Sequence, residues 1–293
     1  MRASPRACLM AGVLAATACA GRPAIAPTPV LPFAADTIRA ERISDGVTRR
    51  FFYSAAGPWA IHVLEVDVDG CVLPVAVKGA RVAVGRIKTT DMLKELSSRQ
   101  TVLAGVNADF FSLTDGTPTG LLVVNGQMLT PPTPRPVLAV DSLGVVHVGT
   151  FSRSAAGLRP YFPRDAVGGR PLLVRDSVLL ASVDSAGGAA FAAARHPRTA
   201  AGVSRDGHRL ILAVVDGRQK PYSDGMTLRE LGTLMLALGA RDALNLDGGG
   251  STTFVYADPQ NAGALVIANK PSDKEGERAV GDALAIVRTC GSR

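Results

Sequence analysis

The chain has 293 residues, 47% hydrophobic and 19% charged, enough apolar material to bury a substantial core as one large domain or two coupled ones. Its net charge of +7 is spread over scattered lysines and arginines with only 5% aromatic residues, which excludes a nucleic-acid footprint and leaves a general preference for anionic partners. His62, His147, His196 and His208 follow neither H-x-x-x-H nor H-E-x-x-H spacing, so no zinc site is expected and each is assigned to the surface or to packing.

Taken in chain order, residues 1–19 begin with Arg2 and Arg6, continue through the apolar run from Cys8 to Ala16 and end on small residues, the order of an export signal. That run is too short to remain as a membrane-spanning helix. Ala16-Thr17-Ala18-Cys19 resembles a bacterial lipobox, with Ala16 where leucine is usual. Two routes stay open: lipidation of Cys19, or cleavage nearby by the ordinary signal peptidase. Residues 20–58 are expected to be a tether and N-terminal extension, proline- and alanine-rich from Pro23 to Pro32, with the folded domain over 59–293. Export makes a disulfide between Cys71 and Cys290 plausible; two buried free thiols are the alternative.

Short strands are predicted at Val63–Val68, Val72–Val77 and Arg81–Val84. A helix follows over Thr90–Arg99, with Met92, Leu93 and Leu96 on its apolar side, then a buried strand from Thr101 to Val106. Further strands are expected at Leu121–Val124, Val137–Val140, Val145–Val148 and Leu172–Val174, with turns such as Asn125-Gly126 between them. Arg209 to Val215 is nearly continuously apolar, the mark of a strand covered on both faces. Thr227-Leu228-Arg229-Glu230 supplies a capping box, Leu228, Leu231, Met235 and Leu238 recur at helical spacing, and Gly239 is a natural stop. Ala243 to Leu246 completes a strand–helix–strand unit. The expected fold is therefore α+β, a single large domain around a mixed β-sheet, with the segment from Pro259 to Glu277 a lid or a long loop.

The last of these strands runs into Asn245-Leu246-Asp247-Gly248-Gly249-Gly250-Ser251-Thr252-Thr253. Consecutive glycines leave backbone N–H groups uncovered, and such groups in a tight turn form a concavity for phosphate or another oxyanion. No Lys-Ser/Thr pair follows, so it is not a Walker A loop, and Thr253 stands where G-x-S-x-G needs its second glycine. If the two strands of the unit are parallel they finish at one edge of the sheet, which brings Asp216 and Asp247 to a common site; each follows a buried strand and precedes a glycine. Singly, either aspartate reads as an N-cap or turn residue; as a pair they read as catalytic.

These segments resemble the phosphodiester glycosidase family. The resemblance is carried by Asn107-Ala108-Asp109-Phe110-Phe111, Pro118-Thr119-Gly120, Pro197-Arg198-Thr199-Ala200, Val214-Val215-Asp216-Gly217-Arg218, Gly225-Met226-Thr227-Leu228, Asn245 to Thr252, and Asn269-Lys270-Pro271 with Glu277-Arg278-Ala279-Val280. Together they span roughly residues 60–288. The resemblance implies that water cleaves the bond between an anomeric carbon and a phosphodiester. It implies that Asp247 acts directly, with Asp216 as a positioning residue or base. Arg198, Arg218 and Arg278 would grip phosphate, and Thr199 belongs to the same binding set. Asn107 and Asn245 would orient sugar hydroxyls or the carboxylates, or else satisfy strand-end backbone. Gly248, Gly249, Gly250 and Ser251 would receive oxygens through N–H and hydroxyl groups. Asp109 departs from the small residue usual there, and offers an oxygen of the kind Ca²⁺ takes; no other cofactor is expected.

The implied partner is a glycan or phosphoglycan in the periplasm or outer envelope, with the membrane met only through a lipid on Cys19. Two other functions remain to be weighed. One is a non-catalytic glycan binder, which needs no reactive carboxylate; the other is a general phosphodiesterase, whose usual two-metal His/Asp clusters are missing from the sequence.

Overall fold

The computed structural model describes residues 25–79, 84–154 and 157–291. The export segment and Cys19 lie outside these residues, as does the expected strand at 81–84 apart from Val84. Among the described residues no helix is long and apolar enough to cross a membrane.

Alternation along the strand Arg209–Val215 decides the layering. Leu210, Leu212 and Val214 face one way, into a core shared with Leu64, Val66, Leu103, Val106 and Ile286. Ile211, Ala213 and Val215 face the other, against Leu228, Leu231 and Met235 of the helix Leu228–Ala237. A strand so covered must be apolar at every position, as the sequence is. The same division continues outward. A five-stranded sheet closes the first core, and its far face is covered by Met92 and Leu93 of the helix Thr89–Ser97, packed on Ala283, Ala285 and Val287. The layers are therefore helix, eight-stranded sheet, five-stranded sheet, helix. A second five-stranded sheet lies at the side, with its own small core around Leu121, Val137 and Phe151.

The eight-stranded sheet runs in the order Thr37–Ser44, Val47–Ser54, Trp59–Asp67, Arg209–Val215, Arg198–Val203, Asp242–Asn245, Leu172–Arg175, Val178–Leu179. Every strand pairing among the described residues is antiparallel, which corrects the expected mixed sheet. Arg198–Val203 inserts between the two strands of the strand–helix–strand unit and is antiparallel to both, with Ala200 facing Ala213 on one side and Asn245 on the other. The two outer strands still run in the same direction and end at the same edge. They are two strand spacings apart, about 10 Å, instead of adjacent.

The first two strands lie upstream of the expected domain start at 59. The first is a charged, half-exposed edge strand, and the second, paired on both sides, carries Arg49, Arg50 and Thr48 among its apolar residues, so the apolar periodicity that betrays a core strand is weak in both. The stretch expected to be a tether is held as well. Arg50, 1% exposed, donates from Nη2 to the carbonyls of Ala26 (2.6 Å) and Pro27 (3.3 Å), and from Nε to Glu65 (2.6 Å). Leu31 and Phe33 pack on the helix-side core, with the Phe33 ring 5.0 Å from Trp59. Cys71 and Cys290 are joined in a disulfide beyond the pair Val72 and Arg288, at the open end of the Val72–Lys78 and Asp282–Arg288 strands.

Candidate active site

Thr101–Asn107 belongs to the five-stranded sheet and Asp242–Asn245 to the eight-stranded one, and their ends meet over the core. Asn107 makes the junction. Its Nδ2 donates to the carbonyl of Asp247 (2.7 Å), while its Oδ1 accepts from the Thr199 hydroxyl (2.9 Å) and the Thr253 N–H (3.1 Å). Asn107 and Thr199 are fully buried, and the neighbouring Asn245 is 1% exposed with its Nδ2 bound to the Arg170 carbonyl (2.6 Å). These three polar side chains hold strand ends and do not line the cavity above them.

That cavity is a hollow of about 230 Å³ lined by Phe110, Phe191, His196, Arg198, Arg218, Asp247, Gly248, Gly249, Gly250 and Arg278. Seven of these ten come from the residues singled out in the sequence. The glycines form a single tight turn in which Gly249 has φ +61°. Their N–H groups are largely engaged: Gly248 donates to the Asp247 carboxylate (2.9 Å), Gly249 to the Pro197 carbonyl (2.9 Å) and Ser251 to the Gly248 carbonyl (3.2 Å). The expected open nest of amides is thus used mainly to build the turn and seat Asp247, and Ser251 is buried behind it. A side chain at Gly248 would run into the Pro197 carbonyl at 2.6 Å, and one at Gly249 would meet the Arg218 guanidinium at 3.1 Å.

Arginine supplies the charge. Arg198 is 1% exposed, donates to the carbonyls of Met226 (2.8 Å), Ala194 (2.9 Å) and Phe191 (3.3 Å), and lies over the Phe191 ring at 4.9 Å. Burial, with Arg218 nearby, pulls its pKa down to about 10. Arg218 adopts the left-handed backbone (φ +58°), reaches His196 Nδ1 at 3.3 Å and is exposed to the hollow. Among the described residues neither Arg198 nor Arg218 has a carboxylate partner, whereas Arg278 is paired with Asp273 at 2.8 Å. Arg170 stacks on Phe110 at 5.0 Å, and its charge also reaches Asp247. A cavity with this much uncompensated positive charge suits an anion.

Asp247 is the carboxylate inside this field. Burial raises its pKa to about 6, against the opposing pull of the Ser251 hydroxyl, the Gly248 N–H and the charges of Arg278 and Arg170. Asp109 is also pushed up to about 6, first by burial and then by Asp247, although the Gly120 N–H (2.6 Å) and Arg135 stabilise its charge. Asp282 is fully buried, accepts from the Asp109 N–H (2.8 Å) and is driven well above the usual range by burial and by Asp109. Asp109 does not line the hollow. Its carboxylate sits where side chains at Gly120 and Gly168 would intrude, at 2.9 and 2.6 Å. Among the described residues no cluster of His, Cys, Asp and Glu is arranged to hold a metal ion.

Asp216 does not share the hollow with Asp247, contrary to the expected convergence. It is fully buried. Its Oδ1 accepts from Asn269 Nδ2 (3.1 Å) and the Lys270 N–H (3.0 Å), and its Oδ2 from the Tyr222 hydroxyl (2.9 Å). The intervening strand separates the two aspartates by two spacings, and loop polar groups then fill the valences of the one left in the interior. His196, assigned from sequence to surface or packing, is instead in the wall of the hollow. Burial, followed by Arg218 and Arg198, lowers its pKa, so the imidazole is neutral at neutral pH. Its position directly before Pro197-Arg198 was the available signal; Phe191 and Arg170 had none.

The sequence model for phosphodiester glycosidases matches residues 100–287, more than half of the chain. The chain belongs to the phosphodiester glycosidase family. Solved structures agree on the fold. The zebrafish N-acetylglucosamine-1-phosphodiester alpha-N-acetylglucosaminidase catalytic domain, auto-inhibited by its pro-peptide, superposes with a TM-score of 0.62 at 20% identity, over 85% of this chain and 81% of that one. A hypothetical protein from Synechocystis gives 0.68 at 15% identity over 87% of this chain, which spans only 64% of the other. No curated protein sequence matches. The family match includes every residue that lines the hollow, from Phe110 to Arg278.

Proposed function

We propose that this phosphodiester glycosidase hydrolyses the bond between a sugar's anomeric carbon and a phosphodiester, in the hollow around Asp247. The observation that carries the reading is one perturbed carboxylate among arginines, of which Arg198 and Arg218 lack carboxylate partners among the described residues. Arg218 and Arg278 take the phosphate oxygens, with the buried charge of Arg198 behind them, and the sugar ring stands against Asp247 and Phe110. Bond cleavage sends the C–O electron pair to the phosphate. Water supplies oxygen to the anomeric carbon and its proton to a carboxylate. A phosphate monoester leaves readily, so neutralising its charge contributes more than protonating it. Ionised Asp247 stabilises the cationic sugar or activates the water; near-neutral pKa values suit such proton transfer. Asp216 acts at a distance, by holding through Tyr222 the turn that carries Arg218.

The disulfide supports an exported, oxidising setting, with an envelope glycan or phosphoglycan as substrate. Asp247→Asn tests the assignment, because it preserves volume and removes the charge. Turnover of a sugar-1-phosphodiester is expected to fall at least about 10³-fold while substrate affinity stays within a few-fold. In ¹⁸O-water the wild-type protein should label the sugar. Label in the phosphate would make it a phosphorus-attacking phosphodiesterase, and binding without turnover in the wild type would make it a glycan-binding protein.

A further inference from the structure

A second cavity, of about 580 Å³, opens where the outer strands of the eight-stranded sheet meet the strand Phe254–Asp258. It shares no lining residue with the hollow. We propose that this crevice is a separate binding site for a neutral saccharide of one or two rings.

The lining is aromatic and polar in the proportions such a ligand needs. Phe51, Tyr222 and Tyr256 line it, and a cation lies over each ring, Lys270 over Tyr222 at 5.4 Å among them. Arg49 lies over Tyr256 at 4.3 Å and Arg39 over Phe51 at 5.8 Å, which fixes two planar groups at the rim. Flat apolar faces bordered by planar hydrogen-bonding groups match a pyranose, whose ring carbons are apolar and whose edge carries hydroxyls. Charge points the same way. Arg39 and Arg49 are matched within the lining by Glu41 and Asp258, and Arg49 is paired with Glu41 at 3.2 Å. The crevice therefore lacks the excess positive charge that suits the hollow to an anion.

The floor carries an unmet hydrogen-bonding group. His62 is 3% exposed, with its ring 5.0 Å from Phe51 and 6.2 Å from Phe254. Its Nε2 stands 3.5 Å from Asp216 Oδ2, and neither ring nitrogen has a hydrogen-bond partner among the described residues. A buried imidazole nitrogen left this way is costly unless a ligand or water completes it.

Maltose, cellobiose and di-N-acetylchitobiose are the probes, followed by saturation-transfer NMR and titration of the full chain. At least one is expected to bind with Kd of about 1 mM or tighter, and Arg39→Ala and Arg49→Ala each to weaken it about tenfold. Tyr256→Ala should abolish binding; if it unfolds the protein, the two arginine variants decide. Saturating inorganic phosphate and Arg218→Ala should leave saccharide binding unchanged. The proposal is overturned if none of the probes binds, if both arginine variants bind normally, or if binding is lost with Arg218→Ala. It does not depend on hydrolysis in the hollow, since Asp247→Asn should bind these probes as the wild type does.

Discussion

Asp247, Asp109 and Asp282 bring three carboxyl groups into one poorly hydrated region, and burial pushes each of them toward the protonated form. The consequence for stability has a definite sign. Asp109 has a folded-state pKa near 6, above the ordinary 3.8, so between about pH 4 and pH 6 the folded chain holds more protons than the unfolded one. Its contribution is favourable below that window and is lost as pH rises through it. Asp109→Asn retains an oxygen to accept the Gly120 N–H and removes the ionisation. Urea unfolding at pH 7.5 should show the variant about 1–2 kcal/mol more stable than wild type, with the difference vanishing near pH 4. A constant difference at both pH values would contradict this account. Sequence pattern located Asp247 because a carboxylate after an apolar strand and before three glycines is an unusual arrangement. It could not separate Asp247 from Asp216, whose local pattern is nearly the same. What distinguishes them is the set of groups that converge on Asp216 from distant parts of the chain, the Tyr222 hydroxyl, Asn269 Nδ2 and the Lys270 N–H.

At the scale of elements, the helix Leu228–Ala237 was legible to its ends. Its capping box, with Thr227 and Glu230 bonding each other's backbone N–H groups, and the positive φ of Gly239 are local effects written in adjacent residues. The strand Arg198–Val203 between its two flanking strands was not, since pairing partners are a non-local property and small residues such as Ala200, Ala201 and Gly202 leave little periodicity to read. The strands at 37–54 were missed for a related reason: the edge strand Thr37–Ser44 is charged and exposed, and its neighbour Val47–Ser54 mixes arginines with its apolar residues. The glycine turn is an element whose tight packing can be tested. A Cβ at Gly250 would collide with the Asp273 carboxylate and the Arg278 guanidinium, both ends of flexible side chains. Gly250→Ala should therefore cost little stability, within about 1 kcal/mol, because those groups can swing aside. Moving Arg278 out of the hollow should lower kcat/KM for a sugar-1-phosphodiester at least about tenfold. Thermal melting and steady-state kinetics on the same preparation would check both halves of the expectation.

For the whole molecule, the layered core positions the site at the junction of two sheets, so the hollow is only as fixed as the packing between them. The disulfide acts on this scale. With its cysteines 219 positions apart in the sequence, its removal in Cys71→Ser/Cys290→Ser should lower unfolding stability by about 3–5 kcal/mol through the greater entropy of the open unfolded chain. Equilibrium denaturation with and without reductant measures it, and equal midpoints would refute it. The bond also turns nearly everything from Cys71 to Cys290 into a covalent ring. A protease that cuts once inside that ring, for instance in the exposed stretch at Lys274 and Glu275, opens the circle without releasing a piece. Both ends of the cut remain tied to one body, and the fragments part only after the sulfur bridge is reduced.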